Sequence, residues 1–171
     1  MFLFTGWKYT SASSARTTGN SGGSLPYQNT SSGKRAIDDI QKLLRGFGCT
    51  KFATGEDFEN GEIFIQFEHR GRLIHLKASA KGYAVAWLKE NPYSSRRRMS
   101  KQDHEKHALE VGGIAVYSIL RDWVKGQITA IETGILSFDA AFMAHMMLPN
   151  GNSLVEEVVS RKMLPAPKEE L

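Results

Sequence analysis

The sequence predicts an α+β fold, with an N-terminal helix, a small antiparallel sheet built on a β-hairpin, and a long C-terminal helix accompanied by two short helices. Two patterns lead to this prediction. Apolar residues recur at helical spacing over 37–47 and over 101–133, whereas they alternate with polar residues over 62–78. The 171 residues, 41% of them hydrophobic, suffice for one buried core and are too few for two. The chain is therefore predicted to form a single domain over residues 25–161.

Both ends of the chain are predicted to lie outside this domain. Residues 8–24 are rich in Ser, Thr and Gly and have no apolar period, so residues 1–24 are expected to form a flexible tail. Residues 162–171 are expected to form a frayed C-terminal tail. The apolar start, 1–7, is too short for a secretory signal, and no stretch approaches the roughly 20 apolar residues of a membrane span. Because Cys49 is the only cysteine and cannot form an intrachain disulfide, the sequence predicts a cytoplasmic protein without a membrane segment.

The first helix and the sheet follow from the two apolar periods. A helix is predicted after residue 30 by the spacing of its apolar residues, which are Ile37, Ile40, Leu43, Leu44 and Phe47. Residues 49–52 are compatible with a short strand, and the acidic run 55–61 is predicted to be a loop. Two strands then form a hairpin, whose buried face carries Ile63, Ile65, Phe67, Ile74 and Leu76. This face is expected to pack against Val116, Leu120 and Trp123 of the long helix.

The middle of the chain contains one ambiguous segment. Residues 81–92 suit either a short helix or a third strand, and both alternatives stay open. Residues 94–101 are polar and basic and are predicted to form an exposed loop. The long helix over 101–133 is expected to contain one irregularity, at Gly112-Gly113 or at Gly126, because glycine weakens a helix interior.

Two shorter helices complete the predicted fold. Ser137 is a suitable N-cap for the first of them. Ser153 and Glu156 have the spacing of a capping box at the start of the second. In the first of these helices, the Met-rich run 142–147 favours a homo-oligomer, since adaptable methionines are common at such contacts.

A resemblance to known proteins covers residues 25 to about 158 and lies in the runs Leu25–Thr30, Ile119–Lys125, Ile131–Ile135 and Phe142–Gly151. In these runs the sequence resembles a family of small, uncharacterised bacteriophage and prophage proteins. No activity is established for that family, so the resemblance implies no catalytic residues. It implies a phage protein that acts in the cytoplasm of the bacterial host cell.

The charge of the chain is concentrated in one segment. Between Arg70 and Lys101 there are nine basic residues and one acidic residue, Glu90, which gives this segment a net charge of +8, whereas the whole chain carries +4. Such a segment suits an anionic ligand, because each phosphate neutralised by Lys or Arg releases a condensed counterion. A solvated surface loop and a protein partner with an acidic face are the alternatives.

Aromatic residues are interleaved with these cations and could stack on unpaired bases. The triplet 96–98 is the most specific feature, since three consecutive arginines in a loop cannot all point inward, and guanidinium groups bind phosphate or carboxylate in a bidentate manner. The candidate nucleic-acid-binding residues are Arg70, Arg72, Lys77, Lys81, Tyr83, Trp87, Arg96, Arg97, Arg98 and Lys101.

A histidine cluster on the long helix invites comparison with a metal site. His104, His107 and Glu110 are spaced three residues apart and would share one helix face. The order differs from HExxH, in which the two histidines are four residues apart. We therefore predict no metal at this position, and no cofactor elsewhere.

A divergent metal-dependent nuclease is a minor alternative. Asp57, Glu59 and Glu62 lead into one strand, and the next strand ends with His75 and Lys77, an order similar to PD-(D/E)xK nucleases. The histidine replaces a carboxylate that would bind the metal ion, which weakens the comparison.

No other catalytic motif is present in the sequence. It contains no phosphate-binding glycine loop, no nucleotide-binding GxGxxG after a strand and no nucleophile elbow. The sequence therefore predicts a non-enzymatic phage accessory protein that binds nucleic acid or another polyanion. The alternative is a phage inhibitor that binds a host protein, such as a nuclease or a defence complex.

Overall fold

A computed structural model describes residues 25–96 and 98–165 and shows an α+β fold with an N-terminal helix. Its elements, in chain order, are α1 (Gly33–Gly46), β1 (Lys51–Asp57), β2 (Glu62–His69), β3 (Arg72–Ser79), α2 (Ala80–Glu90), α3 (Lys101–Glu132), α4 (Phe138–Phe142) and α5 (Leu154–Ser160). A turn of 3-10 helix, Met143–His145, continues α4. The predicted tails over 1–24 and 166–171, and Arg97 of the arginine triplet, lie outside the described residues.

The N-terminal helix is confirmed. Ser32 caps α1, since its hydroxyl accepts a hydrogen bond from the Arg35 amide at 3.2 Å. The chain leaves the helix through Gly48, whose φ of +89° lies in the left-handed region that glycine adopts without strain. The apolar face of α1 is buried against the rest of the fold by Ala36, Ile40 and Leu44.

The three strands form an antiparallel sheet in the order β1-β2-β3. The predicted hairpin is β2 and β3, and Ile65 at its centre lies opposite Thr54 on one side and Leu76 on the other. The prediction of a loop over residues 55–61 is wrong for its first three residues. Gly55, Glu56 and Asp57 continue β1, because the facing residues of β2 pair with their backbone. The missing side chain at Gly55 leaves room for the Phe64 ring, which a Cβ there would approach to 2.4 Å.

One face of the sheet forms the core together with α1 and α3. The side chains Ile63, Ile65, Phe67, Ile74 and Leu76 of this face are buried. They share a cluster with Val116 and Leu120 of α3, and Trp123 packs on that cluster with part of its surface exposed. The predicted packing of the hairpin against the long helix is therefore confirmed.

The ambiguous segment after β3 is a helix, α2, which packs along the first half of α3. The predicted irregularity in the long helix is absent, because α3 is helical without a break from Lys101 to Glu132. Gly112 has another role: a Cβ at this position would lie 2.5 Å from the carbonyl oxygen of Ala80. The glycine thus permits the close approach of α2 to α3. None of the described helices is both long enough and apolar enough to cross a membrane.

The C-terminal elements pack against the sheet and α3. Phe142 is completely buried, with its ring 5.4 Å from that of Phe67 and 5.7 Å from that of Trp123, both edge-on. Met146 bridges the free edge of β3 at Ile74. Phe142 and Met146 of this segment thus pack against other parts of the same chain.

Both predicted helix starts in this part are confirmed. Ser137 caps α4, since its hydroxyl accepts from the Ala140 amide at 3.1 Å. Ser153 and Glu156 form the capping box of α5, with the Ser153 amide donating to the Glu156 carboxylate at 2.7 Å.

Candidate nucleic-acid interface

The basic segment is divided between two places in the fold. Arg70 and Arg72 lie at the turn between β2 and β3, whereas Lys81, Lys89 and the arginine triplet belong to α2 and the loop that follows it. The eight residues of β3 separate the two groups, which at ~3.3 Å per residue puts them about 23 Å apart. The predicted residues that the structure describes therefore do not form one compact cluster.

Two of the predicted cations are neutralised by residues that come later in the chain. Arg72 forms an ion pair with Asp139 of α4. The ammonium group of Lys77 lies 2.6 Å from a carboxylate oxygen of Glu156, and this hydrogen bond raises the pKa of Lys77 and lowers that of Glu156 to about 2. Neither side chain is a free cation for a ligand.

The second group surrounds the segment between α2 and α3, residues 91–100, which we name the arginine loop. Both ends of the loop are fixed. The ring Nε2 of the buried His104 lies 2.8 Å from the backbone oxygen of Asn91, and the Tyr93 hydroxyl donates to the backbone oxygen of Met99 at 3.2 Å. The Ser100 hydroxyl accepts from the Asp103 amide at 3.1 Å and so caps α3. These hydrogen bonds thus hold the two ends of the arginine loop in place.

The two described cations of the arginine loop, Arg96 and Arg98, are exposed. Arg96 and Arg98 have no ion pair within the described part of the chain, and neither does Lys89 at the end of α2. Lys81 is exposed at the start of α2. Lys101 lies 3.9 Å from Glu105 on the surface of α3, a pairing that solvent largely screens. Apart from Arg70 in the turn between β2 and β3, the unpaired positive charge that the described residues show in the predicted segment therefore lies on this loop and on α2.

The aromatic residues differ in their availability to a ligand. Trp87 is 8% exposed and packs on His104 and His107, with ring centroids 5.3 and 5.7 Å apart, so its indole belongs to the core and cannot stack on a base in this structure. Tyr83 is half-buried, its hydroxyl donates to the backbone oxygen of Pro26, and burial raises its pKa. Tyr93 is 38% exposed and remains open to contact.

The metal alternatives receive no geometric support. His104 is buried while His107 and Glu110 are exposed, so the three side chains do not converge on one site. His107 lies 3.8 Å from Glu110 as a simple surface pair. Within residues 25–96 and 98–165, no three His, Cys, Asp or Glu side chains are grouped closely enough to hold a metal ion.

Three residues of the nuclease alternative, Asp57, His75 and Lys77, have structural partners instead. Asp57 accepts hydrogen bonds from the backbone and side chain of Asn60, at 3.0 and 2.7 Å, which lower its pKa and close the turn after β1. His75 stacks on Phe64 with ring centroids 5.4 Å apart. Lys77 is held by Glu156, so it is not free to support a nucleophilic water.

The residues that neutralise part of the basic segment could not be identified from the sequence alone. Asp139 and Glu156 lie 67 and 79 positions after their basic partners, and no local pattern joins residues at such separations. A signal did exist for His69, which continues the buried alternation of β2 after Ile63, Ile65 and Phe67. Its position in that alternation predicts burial although histidine is polar.

The runs on which the predicted resemblance to phage proteins rests are distributed over the fold. Leu25–Thr30 forms the turn before α1, Ile119–Lys125 lies within α3, and Phe142–Gly151 contains the 3-10 turn and the segment that borders β3. The phage origin and the bacterial cytoplasm stay predictions that rest on this resemblance. No protein family model, no curated protein and no solved structure matches the chain.

Proposed function

We propose that this protein binds nucleic acid through the arginine loop, mainly by contacts to phosphate groups and without catalysing a reaction. The observation that carries the proposal is the exposure of Arg96 and Arg98, without ion pairs among the described residues, on a loop whose two ends are fixed by hydrogen bonds. Of the other cations in the predicted segment, Arg72 and Lys77 are paired with carboxylates, Lys81, Lys89 and Lys101 lie on helices, and Arg70 lies in the turn between β2 and β3. The arginine loop combines free charge with a defined position.

The physical basis of the binding is electrostatic. An unpaired guanidinium has no protein partner to lose when it contacts a phosphate, and the contact releases counterions from the nucleic acid. Because Tyr93 and Asn91 fix the ends of the loop, less conformational entropy is lost on binding than from a free segment. The exposed part of the Tyr93 ring adds a surface on which an unpaired base can stack, a contact worth roughly 1–3 kcal/mol.

Direct binding assays test this proposal. Fluorescence anisotropy at low salt, with labelled single-stranded DNA, duplex DNA and RNA of equal length, should detect binding by the wild-type chain. Changing Arg96, Arg97 and Arg98 together to Ala should weaken it roughly tenfold or more, because up to three phosphate contacts are lost.

A matched triple variant separates the loop from net charge. Lys34, Arg35 and Lys42 are exposed on α1, and changing them to Ala removes the same three charges. This variant should retain most of the affinity. Absence of binding to all three nucleic acids, or equal losses in the two triple variants, would contradict the proposal.

A protein partner with an acidic surface is the second candidate, and it includes the predicted inhibitor of a host nuclease or defence complex. The observation that favours it is the presence of two partly exposed, large side chains, Tyr93 and Met99, beside the arginines. Tyr, Met and Arg are the residue types enriched at protein interfaces.

Recovery of a partner from cells distinguishes the two candidates. A tagged chain purified after nuclease digestion should retain a stoichiometric protein if this candidate is correct, and the arginine-loop triple variant should lose it. An eluate without a partner from wild-type protein would leave nucleic acid as the ligand of the loop.

A further inference from the structure

A second polar site lies at the other end of β3, beside the turn between β2 and β3. The structure has a pocket of about 330 Å³ there, which we name the hairpin pocket; it is lined by His69, Arg70, Arg72, Ser137, Phe138 and Asp139. This volume is at the lower end of the ~300–1,000 Å³ range of small-molecule sites. The length of β3 separates the hairpin pocket from the arginine loop, so the two sites are independent.

His69 is the central polar group of the hairpin pocket. It is 7% exposed, and its ring lies between those of Phe47 and Phe138, with centroids 4.6 and 4.9 Å away. A hydrogen bond to the backbone of Gly48 engages the ring, whereas the buried Nδ1 has no hydrogen-bond partner in the described structure. Burial and the charge of Arg70 lower the pKa of His69, so the ring is neutral at pH 7. Nδ1 of His75 and Nδ1 of His104 are also buried without a partner, so His69 differs from these two in lining the hairpin pocket, where a ligand can supply the missing partner.

Arg70 is held in a backbone conformation that arginine rarely adopts. Its φ is +50°, and that of Gly71 is +76°, so both central residues of the hairpin turn are left-handed. Such turns favour Asn-Gly, since asparagine tolerates this region better than arginine does. Arg70 is exposed and has no ion pair among the described residues. A strained residue that is not needed for the turn indicates a role for its side chain.

The other groups of the hairpin pocket set its charge. The guanidinium of Arg72 is already paired with the Asp139 carboxylate, so these two charges cancel. The Ser137 hydroxyl accepts from the Ala140 amide and keeps its own proton to donate. The pocket therefore offers one free positive charge, one hydroxyl donor and one ring nitrogen that accepts.

We propose that the hairpin pocket binds a small, singly charged oxyanion that also carries a hydroxyl group, which is the chemistry of dihydrogen phosphate and of a phosphate monoester in its monoanionic form. Arg70 contacts the charged oxygens, and Ser137 donates to one of them. The hydroxyl of the ligand donates to Nδ1 of His69. Each polar group described above thereby gains a partner.

Titration of the full chain with inorganic phosphate tests this site. The histidine ring signals are followed by NMR below neutral pH, where dihydrogen phosphate predominates. A saturable change at His69 is expected, with little change at His107, which is exposed on α3. Sulfate has a similar shape without a hydroxyl at this pH, and it should bind several-fold more weakly.

The variant Arg70→Asn separates binding from folding. Asparagine suits the left-handed turn, so the variant should unfold at the same or a higher denaturant concentration, while its affinity for phosphate falls at least tenfold. Arg98→Asn, on the arginine loop, should leave phosphate binding at His69 unchanged. Absence of a saturable change at His69, equal binding of sulfate, or full phosphate affinity in Arg70→Asn would overturn the proposal. None of these results bears on nucleic-acid binding, which Arg70→Asn should leave intact.

Discussion

For single residues, the presence or absence of an ion-pair partner determines whether a basic side chain is free to bind an anionic ligand. Lys77 and Arg96 contribute equally to the formal charge of the basic segment. Lys77 lies 2.6 Å from Glu156, whereas Arg96 is exposed without an ion pair among the described residues. Counting charges along the sequence predicts an anion-binding segment, and only the contacts show which cations remain free.

The pair of Lys77 and Glu156 gives a prediction for the pH dependence of stability. The hydrogen bond from Lys77, followed by those from Ser153, lowers the pKa of Glu156 from 4.5 to about 2. The folded state therefore gains stability above the ordinary carboxyl pKa and loses it as the pH falls from about 5 towards 2. At neutral pH, Glu156→Gln should lower the free energy of unfolding by on the order of 1 kcal/mol, because the pair is partly exposed and screened by solvent.

Urea denaturation of both proteins between neutral and acid pH measures this effect. The difference between wild type and Glu156→Gln should shrink as the pH approaches 2. Glu59→Gln is the control, since this exposed side chain makes no ion pair in the described structure. A difference that stays constant with pH would show that the carboxylate charge of Glu156 does not contribute.

Among the secondary-structure elements, the contact between α2 and α3 explains the presence of Gly112. From the sequence alone, this glycine is expected to interrupt the long helix. Gly112 lies in the middle of an uninterrupted helix, and a Cβ there would lie 2.5 Å from the Ala80 carbonyl oxygen. Gly126, in the same helix, has no neighbouring atom within 4 Å of such a Cβ. The two glycines therefore provide a matched pair.

Alanine substitutions should have opposite effects at these two positions. Gly112→Ala should destabilise the protein by roughly 1–3 kcal/mol, because the methyl group forces α2 away from α3. Gly126→Ala should stabilise it by up to about 1 kcal/mol, because alanine is the better helix former. Denaturant unfolding measures both values, and a stabilising effect of Gly112→Ala would contradict the described packing.

Most elements could be predicted from the sequence because their signals are local. The apolar periods of α1 and α3, the alternation in β2 and β3, and the capping box at Ser153 are each visible within a short window. Two features could not be predicted from the sequence: where β1 ends, and whether residues 81–92 form a helix or a strand. Pairing with β2 determines the first, and packing on α3 determines the second. The exposure of the arginine loop could be predicted because its composition is a local signal. The neutralisation of Lys77 could not, because Glu156 is distant from it in the sequence.

At the scale of the whole molecule, the C-terminal segment, residues 138–160, completes the hydrophobic core by packing against the sheet and α3. Phe142 is completely buried between Phe67 of the sheet and Trp123 of α3, so it joins three parts of the fold. The basic residues lie outside this core, at the two ends of β3. One packed body therefore carries two separate polar sites.

Removal of the Phe142 ring tests whether the C-terminal segment belongs to the same cooperative unit. Phe142→Ala should destabilise the protein by roughly 3–5 kcal/mol, since it leaves a cavity beside the sheet. Met143→Ala should cost much less, because Met143 is 48% exposed. Circular dichroism and tryptophan fluorescence should give coincident unfolding transitions in both variants. Separate transitions would show that the C-terminal segment unfolds independently.

The salt dependence of nucleic-acid binding tests the central claim most directly. The slope of log K against log salt concentration counts the phosphate contacts, at ~0.9 per contact for duplex DNA and ~0.7 for single strands. Replacing Arg96, Arg97 and Arg98 with Ala should reduce the magnitude of this slope by about 2 to 3, whereas replacing Lys34, Arg35 and Lys42 should leave it nearly unchanged. Equal slopes for the wild type and the arginine-loop variant would contradict the account, because binding would then not depend on the arginine loop.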